Sequence, residues 1–417
     1  MLSTHALPPA FWRLIAARTL YTFANQMQAV LIGWTVYAVT HSATALGMVG
    51  LAEAVPALGL ALLAGDTVDR GNPLQIYRRA LLATTISGGI LAAVLHSSLA
   101  ASPPYLLLAL YGTSFVTGIA RAYFNPCIFA LVPRMVPNAL LPRSAAAMSA
   151  SMQLARVLGP ALGGLGYGLF GASSAIDGVF VLLVLAQLTL VGTAMARPAV
   201  HSASIVPTKS GQRLLEGLRF VFAEPMLLGA LTLDMVSVLF GGVTAVLPIF
   251  AEEVLHIGSL GLGLLRAAPA VGATLVAVVL AHIDIRKHAG SSLLVAVAGF
   301  GLCILGFALS RQVLLSWLLL VLSGAFDGVS MMVRTLIVQL RSPDAMRGRI
   351  SAVNSMFVGS SNEIGELESG LAAAHLGLVP SVLFGGTVCM LTVAIAALKS
   401  PTLRKLDLTA PAGGARA

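Results

Sequence analysis

The sequence predicts an all-α membrane protein, with twelve transmembrane helices in two six-helix, pseudo-symmetric bundles. Three observations carry this. Of 417 residues, 57% are hydrophobic and only 10% are charged, where a soluble chain carries about 25% charged residues. So little charge cannot cover a water-facing surface of this size, whereas a lipid-facing surface excludes it. Apolar runs of roughly 20 residues, the length that crosses a bilayer core of about 30 Å as a helix, recur along the whole chain. Finally, the basic residues gather in alternate turns between those runs. The 42 glycines and 20 prolines fit the same class, both being commoner in membrane helices than in soluble ones.

In order, the spans are expected near 12–38, 44–64, 79–98, 104–131, 143–169 and 174–196, then 225–250, 260–282, 290–309, 313–338, 350–373 and 377–398. They are helices because lipid-exposed backbone must satisfy its own hydrogen bonds. The first eleven residues lack a basic n-region and the following apolar segment is too long for an h-region, so it is read as the first span and no cleavable signal is expected. Basic residues follow every even-numbered span: Arg70, Arg78 and Arg79; Arg134 and Arg143; Arg197, Lys209, Arg213 and Arg219; Arg286 and Lys287; Arg341, Arg347 and Arg349; and Lys399, Arg404, Lys405 and Arg416 in the tail. That is 18 on one side against Arg311 alone on the other. The bias places both termini in the cytoplasm and makes this a multi-pass protein of the inner, cytoplasmic membrane.

The longest turn, 197–224, divides the chain into an N-terminal bundle (1–196) and a C-terminal bundle (225–398), with a tail at 399–417 expected to lack structure after 400. The turn opens on the polar stretch HSASIVPTKSGQ. It closes on a short amphipathic helix, with Leu214, Leu215, Leu218, Val221 and Phe222 at helical spacing, laid on the cytoplasmic face. The halves echo each other. Glu53-Ala-Val-Pro56-Ala-Leu-Gly59 in span 2 matches Arg266-Ala-Ala-Pro269-Ala-Val-Gly272 in span 8, and Pro137, Asn138 and Arg143 have the spacing of Pro343, Asp344 and Arg349. Such repeats bracket a site near the membrane midplane.

Charge inside a span costs roughly 2.5–3.5 kcal/mol at a helix centre on insertion scales, yet Arg18, Glu53, Arg121, Arg156, Asp234, Arg266, Asp327, Arg334, Glu363, Glu366 and Glu368 all fall within spans. They occupy spans 1, 2, 4, 5, 7, 8, 10 and 11, while the interiors of spans 3, 6, 9 and 12 have none. Every third helix therefore faces lipid, and the others enclose a polar pathway for a small-molecule substrate and protons. Arg18, Thr22 and Asn25 share a stripe, as do Ser149, Gln153 and Arg156. Asp327 and Arg334 share a face two turns apart, and Asn362, Glu363 and Glu366 cluster on one side. The pathway candidates are Arg18, Asn25, Glu53, Gln153, Arg156, Asp234, Arg266, Asp327, Glu363 and Glu366, with Arg121 and Arg334 better suited to structural ion pairs. Burial raises a carboxylate's pKa and a neighbouring cation lowers it, so a carboxylate alternating between the two environments can load and release a proton.

Other classes are disfavoured. The net charge of +9 sits in short turns and offers no nucleic-acid surface. Cys127, Cys303 and Cys389 are far apart, in or beside apolar segments, which fits packing rather than a disulfide framework or a metal site. The spans hold no HExxH, GxSxG or His-rich cluster, so neither an enzyme nor a cofactor is expected. His41 and His96 lie at span ends, where a polar tip reaches water.

Two short segments carry a resemblance. Gly65-Asp66-Thr67-Val68-Asp69-Arg70-Gly71 follows span 2, with Gly65 read as a tight exit from the helix and Asp69 as an acceptor for a neighbouring helix N-terminus. Span 5 carries Gly159-Pro160-Ala161-Leu162-Gly163-Gly164, a kinked contact helix that could flex between two states. The first resembles the loop 2–3 signature of the major facilitator superfamily, and the second resembles the helix 5 motif of its proton-driven drug exporters. Stretches at 33–70, 247–273 and 346–370 look like the branch of enterobactin exporters and macrolide efflux proteins. One departure is that Asn72-Pro73 follows the second glycine, and the basic pair, Arg78 and Arg79, comes later. The equivalent turn near Asp284 and Arg286 is only a faint echo.

The resemblance implies the major facilitator fold and alternating access between two six-helix domains, usually driven by proton antiport. By it, Gly65, Asp69 and Arg70 belong to a gating turn, and Gly159 and Pro160 to the helix 5 motif. The function expected is proton-coupled export of a siderophore or other small amphiphilic compound by a monomer. An importer, a facilitator or a lipid-translocating member of the same fold is the alternative.

Overall fold

The computed structural model describes residues 7–193, 210–283, 285–342, 346–400, 404 and 406–408. Most of the polar stretch at 201–212, the turn residues Asp284, Pro343 and Asp344, and the tail beyond 408 lie outside these residues.

Among the described residues the secondary structure is helical. α1 (Pro9–Thr40), α2 (Ala43–Gly59), α3 (Ala61–Arg70), α4 (Pro73–His96), α5 (Pro103–Met135) and α6 (Leu141–Thr189) form the first half. α7 (Ser210–Ala223) follows, then α8 (Pro225–Gly241), the single-turn α9 (Leu247–Ile249), α10 (Gly258–Leu280), α11 (Ala289–Leu309), α12 (Val313–Arg341), α13 (Arg347–Leu376) and α14 (Leu378–Lys399). Proline opens α1, α4, α5 and α8, at positions whose N–H would have no helical partner anyway. Asn72 completes the start of α4, its side-chain oxygen accepting from the N–H groups of Leu74 and Gln75 at 3.0 and 3.3 Å.

Eight helices are long and apolar enough to cross a membrane, and α2 with α3 makes a ninth span bent by 49°. α6 is two spans, broken at Gly171, whose φ of 80° is a left-handed value that favours glycine. α1 and α13, of 32 and 30 residues, are long enough to cross. They are less apolar than the other spans because they carry the polar stripes expected of spans that border an interior. Among the described residues this makes twelve spans.

Two of these differ from expectation. Span 2 does not end at Gly65. Gly65 lies inside helical α3, a Cβ there would meet nothing within 4 Å, and the chain leaves the helix only at Gly71. The exit falls there because Asn72-Pro73 caps the next helix immediately afterwards. Span 7 is not continuous. α8 stops at Gly241, Gly242 is extended, and a five-residue π-helix spans Phe250–Val254. The Gly241-Gly242 pair and Pro248 weaken the helix here. The freed Gly242 carbonyl is satisfied by the Ser369 hydroxyl of α13 at 2.7 Å.

The chain packs as two compact units. Unit 1 is Met1–His41, Leu51–Thr208 and Gly258–Ala267; unit 2 is Ser42–Gly50, Lys209–Ile257 and Ala268–Ala417. In unit 1, α1 packs on α6, and α4 packs on α5 and α6. In unit 2, α8 packs on α13 and α14, and α11 packs on α12 and α14. The internal repeat explains the likeness. A Cβ on Gly118 of α5 would overlap the Glu53 carbonyl and Pro56 of α2, and one on Gly324 of α12 would overlap Pro269 of α10. The same proline-against-glycine crossing is thus built once in each unit.

Spans 3, 6, 9 and 12 present rows of exposed apolar side chains at helical spacing: Ile86 and Ile90; Val181, Leu185 and Leu188; Val295 and Leu302; Leu391, Ile395 and Leu398. Hydrocarbon is the environment that suits such stripes. α7 is a helix that closes the long turn. It packs on α13 with Val221 fully buried, while Phe222 is 61% exposed. The expectation of an unstructured tail fails at 406–408. Leu406 and Leu408 are buried in the apolar cluster of unit 2, the Leu406 carbonyl accepts from the Gly290 N–H at 3.2 Å, and the Leu408 N–H donates to the Arg286 carbonyl at 2.9 Å. The two leucines reach that cluster together.

Candidate functional site

In unit 1, α1 carries a polar row. The Arg18 guanidinium donates to the Asn125 side chain of α5 at 3.4 Å, the Thr22 hydroxyl folds back onto the Arg18 carbonyl, and Asn25 is half-buried one turn further. Gln28, which sequence reasoning passed over, continues the row. It is 6% exposed and donates to the Thr117 hydroxyl of α5 at 3.3 Å. Its position three residues after Asn25 on the same stripe was the available signal. Glu53 pairs with Arg121 at 2.5 Å, the two side chains being 22% and 40% exposed. Arg266, in the first half of α10, donates to the Ala29 carbonyl of α1 at 2.6 Å. On α6, Gln153 is half-buried and Arg156 is exposed.

The helix 5 motif is a packing device in this conformation. Gly159 and Pro160 are buried. A Cβ on Gly159 would stand 2.6 Å from the Gln26 Cβ of α1, and one on Gly163 would stand 2.9 Å from the Met27 Cα. Gly164 lies against Gly263 in the same way. Such small-residue contacts let backbones approach closely.

At the gating turn, Arg70 holds Asp66 on its own helix at 3.0 Å. Asp69 is exposed, with no partner among the described residues. The later basic pair is more informative. Arg78 donates to the carbonyls of Leu190 and Thr193, the latter at 3.0 Å, so α4 anchors the frayed end of α6. A cation there also complements the negative end of the helix dipole. At the far end of the same helices, His96 meets Asp177 at 2.9 Å.

In unit 2 the charges go deeper. Asp234 of α8 pairs with Arg334 of α12, and both side chains are 5% exposed. Asp327 lies two turns before Arg334 on one face of α12 and is half-buried. Glu363 of α13 is buried, whereas Asn362 is exposed and folds back onto the Val358 carbonyl at 2.8 Å. Those two neighbours therefore face different surroundings and do not form the single cluster expected. Glu366 packs against Gly50 of α2, where a Cβ would approach the carboxylate to 3.0 Å.

Arg121 and Arg334 do form ion pairs, and their partners are Glu53 and Asp234, two of the acids expected to work. Assigning the arginines to structure and the acids to function therefore separates groups that the fold joins. The repeat adds a second regularity. Arg121 follows Gly118 by three residues, as Asp327 follows Gly324, and Glu53 stands where Arg266 stands. Equivalent positions in the two halves carry opposite charges. Among the described residues no cluster of His, Cys, Asp and Glu is suited to a metal ion.

A family model described as transmembrane secretion effector matches residues 7–412. The enterobactin exporter EntS of Citrobacter koseri is 27% identical over 364 residues, covering 85% of this chain and 82% of that protein. The enterobactin exporter EntS of Escherichia coli O1:K1 is 26% identical over 422 residues, covering 99% and 96%. Among solved structures, the nucleoside transporter NupG superposes with a TM-score of 0.73 at 13% identity, over 94% of this chain and all of that one. A D-xylose–proton symporter superposes with a TM-score of 0.71 at 13% identity, over 95% and 99%.

Proposed function

Because the chain belongs to the transmembrane secretion effector family of the major facilitator superfamily, and is thus a secondary transporter rather than an enzyme, we propose that it exports a siderophore or similar small amphiphilic compound in exchange for protons. The membrane crossed is the inner, cytoplasmic membrane, with both termini in the cytoplasm, a placement that the basic bias of the turns supports. The near full-length likeness to enterobactin exporters supports export and a siderophore-like cargo. The working chain is a monomer.

The observation that carries the coupling is the pairing of acids with arginines inside spans, Glu53 with Arg121 and Asp234 with Arg334. Taking charge into hydrocarbon is costly, and such residues mark ion and proton pathways. Protonating the acid of either pair removes the attraction that joins two helices, which is how proton binding can bias a two-state packing.

The test uses the purified protein in proteoliposomes with an imposed pH gradient and enterobactin as cargo. Movement that follows the gradient supports the reading, and movement indifferent to it removes the coupling. Asp327→Asn and Glu363→Gln should each abolish transport while protein remains in the membrane at its normal level. Normal transport by both would show that these carboxylates serve structure alone.

A further inference from the structure

Unit 2 contains a small cavity between α8, α11 and α12. Asp234 and Ser237 of α8 and Asp327 and Ser330 of α12 form its polar wall, and Phe300 and Phe326 are among its apolar lining. It has room for about one water molecule. Ser330 is 3% exposed, and its hydroxyl meets no hydrogen-bond partner among the described residues. An unpartnered hydroxyl at this depth calls for an occupant that can hydrogen-bond. Ser237 already donates to the Leu233 carbonyl of its own helix at 2.6 Å, so its oxygen remains an acceptor.

We propose that this cavity is a proton-exchange site, in which one confined water held by Ser330 relays a proton between Asp327 and Asp234, and that its arrival on Asp234 releases Arg334 and with it the tie between α8 and α12. The inference rests on the proton-coupled reading above and names where the coupling proton is held. In the step, the carboxylic acid of Asp327 gives its proton to the water, and the water gives one of its own to the Asp234 carboxylate. Asp327 ends as the carboxylate, Asp234 as the neutral acid, and the water is regenerated.

Charge balance makes both states possible. Before transfer, Arg334 faces the Asp234 carboxylate across the helix pair. Afterwards its counter-charge is the Asp327 carboxylate, seven residues back on the same face of α12. Among Asp234, Asp327 and Arg334, one cation and one anion remain in either state, so the transfer leaves their net charge unchanged. The surroundings add little charge of their own. α11 contributes Ala296, Val297 and Phe300 to the lining, and behind it the buried thiol of Cys389 on α14 meets the Val297 carbonyl at 3.8 Å. α13 brings the buried Glu363, with Glu366 and Glu368 further along, and Glu216 and Arg219 of α7 are exposed.

The experiment is infrared difference spectroscopy of the full chain in liposomes, without cargo or gradient, with the proton as the probe. Stepping the pH should reveal a buried carboxylic-acid carbonyl band that Asp327→Asn diminishes. Ser330→Ala, which keeps both acids, should slow proton release after a pH jump by roughly tenfold or more, as loss of a positioned relay predicts. It should also remove a confined-water band that shifts in ¹⁸O-water. Asp234→Asn alone strands a buried arginine, so Asp234→Asn/Arg334→Gln is measured beside it and should lose the same band.

Spectra and release rates unchanged in both Asp327→Asn and Ser330→Ala would overturn the relay. If enterobactin movement by the wild type still follows the gradient, that result sinks the relay alone. Gradient-indifferent movement with the bands intact would sink the coupling reading instead.

Discussion

The two units each hold an acid–arginine pair between neighbouring spans, and the pairs sit in different media. In unit 1, Glu53 and Arg121 are 22% and 40% exposed; in unit 2, Asp234 and Arg334 are 5% exposed. Water competes for the first pair. Such pairs contribute about 0–1 kcal/mol, because attraction, desolvation and side-chain ordering nearly cancel. The second pair is shut away from bulk water, and removing one partner leaves an uncompensated buried charge costing about 3–5 kcal/mol. The same two functional groups therefore make a contact that opens easily in one half and a committed joint in the other. The difference lies in the packing around them. Leu231 and Leu233 of α8 and Val333 and Ile337 of α12 flank the buried pair in sequence, and belong to one apolar cluster that also takes in Leu406 and Leu408 from the tail.

This contrast can be broken or sharpened by substitution. Asp234→Asn has the largest expected effect, a loss of about 3–5 kcal/mol in stability. It would be read as a lower unfolding midpoint of the detergent-solubilised protein, with Asp234→Asn/Arg334→Gln recovering most of it. An unchanged midpoint in the single variant would mean that the two pairs are alike. Leu406→Ala comes next, at about 2–3 kcal/mol for a buried leucine. Wild-type stability there would show that the tail does not help to close unit 2. Glu53→Gln should change stability by about 1 kcal/mol or less, with the difference shrinking as salt is raised; an effect as large as that of Asp234→Asn would erase the comparison. Smallest is Gly65→Ala. Inside a helix with open space for a Cβ, it should stabilise by about 0.5–1 kcal/mol and leave transport intact. Lost transport would restore Gly65 to the gating role its motif suggested.

Much of the site was visible before folding because cost marks it. A charged residue in a twenty-residue apolar run stands out whatever its partner, and the acids and arginines of both pairs were found this way. Partners were another matter. Glu53 and Arg121 are 68 residues apart, and nothing local to either names the other. Gln28 was passed over because the stripe of Arg18, Thr22 and Asn25 was taken to end one turn short of it. Gly65 was misread because glycine ends helices often, whereas here the Asn72-Pro73 cap sets the end and carries α3 on to Arg70. The tail was misread because two leucines in a polar stretch form no periodic pattern, and only the groove they fill makes them structural.

Composition, run length and the bias of basic residues by themselves determined that this chain crosses a membrane about twelve times in two related halves. Those properties depend only on the free energy of moving each segment between water and hydrocarbon, a sum taken along the chain. Tertiary structure alone decided which acid meets which arginine, which of those pairs is dry, and where a water-sized cavity lies beside one of them. Those depend on distances between segments far apart in sequence and on the local dielectric, and both exist only once the helices have packed.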